Sequence, residues 1–356
     1  MKDKTSSEVL IGASVYAKGT TLGTFCNAYG FYSLTLPEGT YEIVFSFIGY
    51  KNISQTVELK GNKSISAELE PTFQEIKAVE IVGNDQNAEI RDNQLGMMKL
   101  NPRTMTQLPG FVGDVDIIKS LQSVPGIKSY GDGSALFYVR GGNSDQNLLM
   151  LDDAPIYNPS HLFGFFTAIA PDAIKDVEAY KGDFPSNYGG RLSSVIDIRT
   201  KDGNMKKTFF SGNIGPFTSN LTLEGPIKKE KCSYFFSGRT SNINWLINRG
   251  SAARTLKINF FDFNLKLNYK VNDKNRFFWT IYTGNDAFSN EASAKLYSFG
   301  LSWNNIVSTV RWNHIYNTKL FSNTTVYSTR YNYYLYLSKE QNDFWNSSIL
   351  NKAIKM

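Results

Sequence analysis

Val124-Pro125-Gly126, Val139-Arg140-Gly141-Gly142, Leu149-Met150-Leu151-Asp152-Asp153-Ala154-Pro155 and Tyr188-Gly189-Gly190-Arg191, closed by Val195-Ile196-Asp197-Ile198-Arg199-Thr200-Lys201, form the stretch on which the fold turns. Short apolar runs separated by glycines predict strands and tight turns at residues 135–139, 147–151, 177–180 and 194–199. Ahead of them Ile117, Ile118, Leu121 and Val124 share one helical face, with Asp114 as N-cap and Pro125-Gly126 as the stop. The result is a small α+β domain. It holds no His/Cys cluster and no obvious acid/base pair.

Upstream, Tyr41, Ile43, Phe45 and Phe47 alternate with smaller or polar neighbours after the turn Pro37-Glu38-Gly39. The period of two recurs at Ile53, Val57, Leu59 and at Ile65, Ala67, Leu69. Together with Phe31–Leu36 these runs predict a β-sandwich over residues 1–70. Residues 71–96 are a linker containing the apolar run Val79-Glu80-Ile81-Val82. That run suits either an edge strand lent to a partner's sheet or a connecting strand of the next domain.

Downstream of Asn204 the character changes. Phe261, Phe263, Leu265, Leu267, Tyr269 and Val271 alternate with Asp262, Asn264, Lys266, Asn268 and Lys270; Phe277, Trp279 and Ile281 resume the outer row. Tyr297, Phe299, Leu301 and Trp303, then Tyr327, Tyr331, Tyr333 and Leu335, repeat the alternation. Strands of roughly ten residues, apolar toward lipid and polar inside, predict about eight strands of a membrane β-barrel. A soluble antiparallel sheet carries a similar pattern, but the strand length and the aromatic share of 14% favour the membrane reading.

Composition excludes several classes. The net charge of +6 comes from 38 basic and 32 acidic residues spread along 356, without the basic block of a nucleic-acid binder. Cys26 and Cys232 are too far apart in sequence to suggest a disulfide framework. No apolar run is long enough for a transmembrane helix, and no signal-peptide core follows the polar start. Ser160-His161 with Asp152 or Asp153 lacks the nucleophile elbow a triad needs, and a loop histidine is the better reading. Asp152-Asp153 reads as a turn, and no metal ligands stand at useful spacing.

The motifs resemble two known families. Gly12-Ala13-Ser14-Val15, Gly19–Thr24, Gly30-Phe31-Tyr32 and Gly39-Thr40-Tyr41 resemble the carboxypeptidase-regulatory-like domain, a transthyretin-like sandwich that ordinarily has one more strand before Leu10. Residues 97–203 resemble the plug domain of TonB-dependent outer-membrane receptors through the motifs quoted at the outset, together with Ile156-Tyr157 and Ala173–Gly182. Asp153 departs from that family's Leu-Asp-Gly.

The resemblance implies a mainly β chain of sandwich, linker, plug and, over 204–356, the first strands of a 22-stranded barrel. It makes Val79, Glu80, Ile81 and Val82 a TonB-box candidate. Arg140 becomes a latch to barrel acids, with Gly141, Gly142, Gly189, Gly190 and Arg191 as its hinge. It further implies an outer-membrane importer of a ferric chelate, oligosaccharide or peptide. The implied partners are a TonB-type energy-coupling protein, outer-membrane lipid, a surface lipoprotein and the substrate, with no cofactor, metal or nucleic acid. Twenty-two strands need about 220 residues, more than follow Asn204, so an N-terminal fragment without its export signal and inactive alone is expected. The rival classes are a β-rich surface adhesin or glycan-binding protein and, more weakly, an enzyme built on the sandwich.

Overall fold

The computed structural model describes residues 1–72, 96–100, 116–131, 136–247, 256–290, 298–317, 320–338 and 344–356. Val79–Val82, Asp114 and Tyr297 lie outside them.

The N-terminal sandwich has an antiparallel sheet in the order Gly23–Phe25, Ser14–Ala17, Gly39–Ser46, Ile53–Leu59. Ile43, Phe45, Val15 and Val57 are buried in its core with Leu69, as alternation in half-buried strands requires. Two expectations need correction. Phe31–Leu36 is not a ladder strand: Tyr32, Leu34 and Leu36 pack on the core, but the segment has no sheet partner. Ile65 likewise packs without pairing, Ala67 O accepts from Lys2 N at 3.0 Å, and the strand there is only Glu68–Leu69. The polar start is not a loose stub, because Lys2–Asp3 pairs in parallel with Glu68–Leu69.

The central domain is a five-stranded mixed sheet in the order Ala154–Ile156, Asn147–Leu151, Ser194–Thr200, Ile174–Tyr180, Met97–Leu100. Asn147–Leu151 runs parallel to Ser194–Thr200, and the other pairings are antiparallel. Ser194–Thr200 is buried at every position, which explains why Val195-Ile196-Asp197-Ile198 reads as a nearly continuous apolar run. The described helix is shorter than predicted: Ile117–Ser120, capped by Asp116, whose Oδ1 accepts from Lys119 N at 3.0 Å. The remaining turn, Leu121–Ser123, is 3-10.

Residues 209–355 build one open eight-stranded antiparallel sheet in sequence order. Its strands are Phe209–Ile214, Thr218–Lys228, Cys232–Ser241, Leu256–Lys270, Asn275–Asn290, Ser298–Ile315, Phe321–Ser338 and Phe344–Lys355. The chain enters this wall on the side of the short turns 229–231 and 271–274. The strand ends at Ser241, Leu256, Asn290 and Ser298 lie on the opposite side, the loop side.

Phe261, Tyr269, Phe277 and Trp279 point outward and exposed, while Asp262, Asn264, Lys266, Asn268, Thr280 and Asp286 point inward and buried. Two strands reverse the expected sense. Trp303 is buried with Nε1 donating to Ser160 O at 3.3 Å. Tyr331 accepts from Asn158 Nδ2 at 3.5 Å, and Tyr327 packs on the central core. Alternation sets a period but not which face is inside; register sets that. Phe288↔Leu301, Leu301↔Leu335 and Trp303↔Tyr333 are cross-strand pairs, so the loop-side half of the wall is aromatic within. No described helix is long and apolar enough to cross a membrane.

Candidate functional site

The central domain meets the wall at two buried joints. The upper one, nearer the loop side, is centred on His161 in the short hairpin Ser160–His161/Phe166–Thr167. Its Nδ1 lies 2.5 Å from Asp286 Oδ2 and its Nε2 2.5 Å from Asp262 Oδ1. The ring stacks on Phe260 at 4.6 Å. Asp286 Oδ1 also accepts from Leu162 N at 2.9 Å, and Asp262 Oδ2 accepts from Arg239 Nε at 2.7 Å. Burial disfavours the imidazolium, yet the two carboxylates outweigh it and raise the His161 pKa to about 9. The histidine is therefore a cation at neutral pH.

Immediately after it, Leu162 (φ 50°) and Phe163 (φ 58°) occupy the left-handed region, which bulky residues enter only when their surroundings force it. The Asp286 bond to Leu162 N is one such constraint. The turn presents an exposed Phe163 ring 5.4 Å from Trp303 and 5.5 Å from Phe288.

The lower joint is built on Asp152 and Asp153, both at positive φ (45° and 75°) in the turn after Asn147–Leu151. Asp tolerates that conformation better than most residues. Asp152 faces Lys266 Nζ at 3.2 Å and accepts from Thr280 Oγ1 at 2.8 Å. Lys266 also donates to Thr200 O at 2.9 Å and pairs with Asp202 at 2.9 Å, and Lys175 meets the other Asp202 oxygen at 2.6 Å. Asp153 pairs with Arg199 at 2.7 Å and Arg311 at 3.5 Å, and accepts from Thr325 Oγ1 at 3.1 Å. Burial opposes ionisation of both carboxyls. Lys266 and Arg311 at Asp152, and Arg199 and Arg311 at Asp153, nevertheless hold them below the usual carboxylate range. Burial raises Asp197, which shares Arg199 with Asp153 and accepts from Tyr188.

The residues singled out from sequence sit elsewhere. Arg140 is exposed on a turn at φ 48°, lying along Gly126 and Gly182 of its own domain. Among the described residues Arg140 takes part in none of the ion pairs that join this domain to the wall; the wall acids Asp262 and Asp286 meet His161 instead. Gly142 is required, because a Cβ there would strike Ser193, whose hydroxyl donates to Val139 O at 2.6 Å. Gly141, Gly189 and Gly190 are exposed, and Arg191 donates to Gly190 O at 2.8 Å. The two glycine turns are thus tied to each other through Ser193. Sequence reasoning set His161 aside as a loop histidine, whereas it is buried in a strand pair. It read Lys266 only as a member of the polar row and did not name Arg311, and the one available signal was charge inside the inward row of alternating strands. Among the described residues no set of His, Cys, Asp or Glu is arranged to hold a metal ion.

A domain seated by ion pairs against the polar face of a sheet whose other face is apolar defines the class of plugged β-barrels. The family described as CarboxypepD_reg-like domain matches residues 1–82, and TonB-dependent Receptor Plug Domain matches residues 104–195. The TonB-dependent receptor SusC of Bacteroides thetaiotaomicron is 28% identical over 218 residues, 56% of this chain and 20% of that protein. A TonB-dependent receptor of Formosa agariphila is 27% identical over 213 residues, 54% of this chain and 18% of its own length. The chain thus spans about a fifth of the length of the curated relatives it matches.

Among solved structures, the outer membrane transporter YddB of Escherichia coli superposes with a TM-score of 0.51 at 14% identity, covering 68% of this chain and 39% of that one. A ferric enterobactin receptor of Pseudomonas aeruginosa gives 0.50 at 13%, covering 72% and 45%. These likenesses establish the fold. The chain carries the regulatory-like domain and the plug of a TonB-dependent receptor, followed by eight strands of its barrel sheet.

Proposed function

We propose that the chain is the N-terminal part of an outer-membrane receptor that imports a nutrient with energy supplied by a TonB-type partner. The carrying observation is the plug itself, held inside the sheet by two ionic joints. Such a plug blocks passage at rest and yields only to applied work, because each buried charge must lose its partner before it moves.

In this reading 1–70 is the sandwich, 71–96 the linker, 97–203 the plug and 204–356 barrel. Val79, Glu80, Ile81 and Val82 pair as a strand with the energy-coupling protein. The turns at Arg140–Gly142 and Gly189–Arg191 flex as the plug shifts. The short-turn side faces the periplasm and the loop side the exterior. The substrate, a ferric chelate, oligosaccharide or peptide, lands on Phe163 and the aromatic wall above it, and a surface lipoprotein would meet the same rim. Transmission of force through strand pairing needs no catalytic residue.

The test is uptake by cells in which the complete receptor is the sole route for a candidate nutrient. Uptake should stop on deletion of Val79–Val82 or collapse of the proton gradient. Uptake unaffected by both would overturn the reading.

A further inference from the structure

The sandwich is not merely strung ahead of the plug; it is seated under the seam between plug and wall. Three contacts run along its N-terminal edge. Asp202 N donates to Glu8 Oε1 at 2.6 Å, Met205 N donates to Ser6 O at 3.0 Å, and Lys206 Nζ donates to Lys4 O at 2.6 Å. Two more come from the tip 27–31. There Asn27 Oδ1 accepts from Tyr29 N at 2.9 Å and Phe31 N at 3.1 Å, a local cap that sets the tip's shape.

Tyr29 projects from this tip onto the lower joint. Its ring lies 5.1 Å from the Arg311 guanidinium and 5.9 Å from that of Arg199, within the range of cation–π attraction. These are the two arginines that hold Asp153. Phe31 packs on Phe321, at the foot of a wall strand, with ring centroids 4.4 Å apart. One face of the sandwich therefore touches the plug's end, the wall's lower rim and the charges that join them.

We propose that the sandwich is a second gate, docked across the inner mouth, which reinforces the lower joint at rest and must leave before substrate passes. The inference rests on the orientation given under the proposed function. Its mechanical logic follows from chain order: residues 73–95 join the sandwich to the plug, so a pull on that segment loads both. Loss of Tyr29 from the arginines and of Glu8 from Asp202 exposes the lower joint to water, where ion pairs weaken.

Two experiments on the complete receptor test it. In the first, Ser6→Cys and Met205→Cys are combined with Cys232→Ser. The 3.0 Å hydrogen bond from Met205 N to Ser6 O keeps the two Cα atoms within disulfide reach. Oxidation should cross-link most of the resting protein and cut uptake at least tenfold, with recovery on reduction. Failure to cross-link, or a cross-linked receptor that imports at the parental rate, would overturn the proposal.

In the second, which needs no uptake, Glu8→Ala with Tyr29→Ala should raise hydrogen exchange across residues 196–202 at least fivefold. Strands Gly39–Ser46 and Ile53–Leu59 should stay protected, which shows that the sandwich still folds. Unchanged exchange at 196–202 would sink the docking claim. Raised exchange and efficient cross-linking in a protein that imports nothing would support docking and count against the import reading alone.

Discussion

The two joints hold the same plug to the same wall with opposite polarity. Above, the plug supplies the cation, His161, and the wall the acids, Asp262 and Asp286. Below, the plug supplies the acids, Asp152, Asp153 and Asp202, and the wall the cations, Lys266 and Arg311. Asp262 and Lys266 stand in one inward row four residues apart, about 13 Å along the strand. A plug that slid by that distance would bring carboxylate to carboxylate in one direction, Asp152 to Asp262, or cation to cation in the other, His161 to Lys266. The antisymmetry specifies one seat, and repulsion enforces it as much as attraction does.

The comparison can be broken most severely from below. Lys266→Ala strands Asp152 and Asp202 without their shared partner, and should cost about 3–5 kcal/mol of plug docking. Hydrogen exchange over Ser194–Thr200 should rise accordingly while wall strands Asn275–Asn290 and Ser298–Ile315 stay protected. His161→Ala should cost less, about 1.5–3 kcal/mol, because Asp262 keeps Arg239. Exchange should then increase around residues 160–168 rather than at 194–200.

The joints should also separate by pH. His161 has a folded pKa of about 9, above its ordinary 6.5. Its contribution is complete below about 6.5 and is lost as pH rises through 9. Asp152, Asp153 and Asp202 are held below the usual carboxylate value, so their contribution is present above it and is lost only as pH falls through their depressed values. Exchange around 160–168, corrected for intrinsic rate, should therefore rise between pH 7 and 10, and His161→Ala should abolish that rise. The smallest effect belongs to Asp176, raised by burial to about 7 with an unpartnered Oδ2. Asp176→Asn should stabilise the plug by about 1 kcal/mol at pH 8, with the gain vanishing near pH 4, measured by denaturant melts.

The fold was largely legible because its signals are local. Glycine joints, the run Val195–Ile198 and the alternation from Phe261 to Tyr269 each speak through neighbours in sequence. The joints were not legible, because they are long-range: His161 and Asp286 are 125 residues apart, and a single histidine in a loop carries no mark of its partners. Asp152-Asp153 was read as a turn and is one, but sequence gave no sign that its carboxylates face Lys266 and Arg311. The inward turn of Trp303 and Tyr331 was missed for a related reason. A period of two is satisfied equally by either face, and only contacts with Ser160 and Asn158 decide between them.

The central claim is that both joints couple plug to wall across opposite charges. Its most direct measurement is a pair of double-mutant cycles on plug stability in the complete receptor, His161→Ala with Asp286→Ala and Asp152→Ala with Lys266→Ala. Coupling of about 1.5 kcal/mol or more in each cycle is the expected result. Additivity within about 0.5 kcal/mol in both would contradict it.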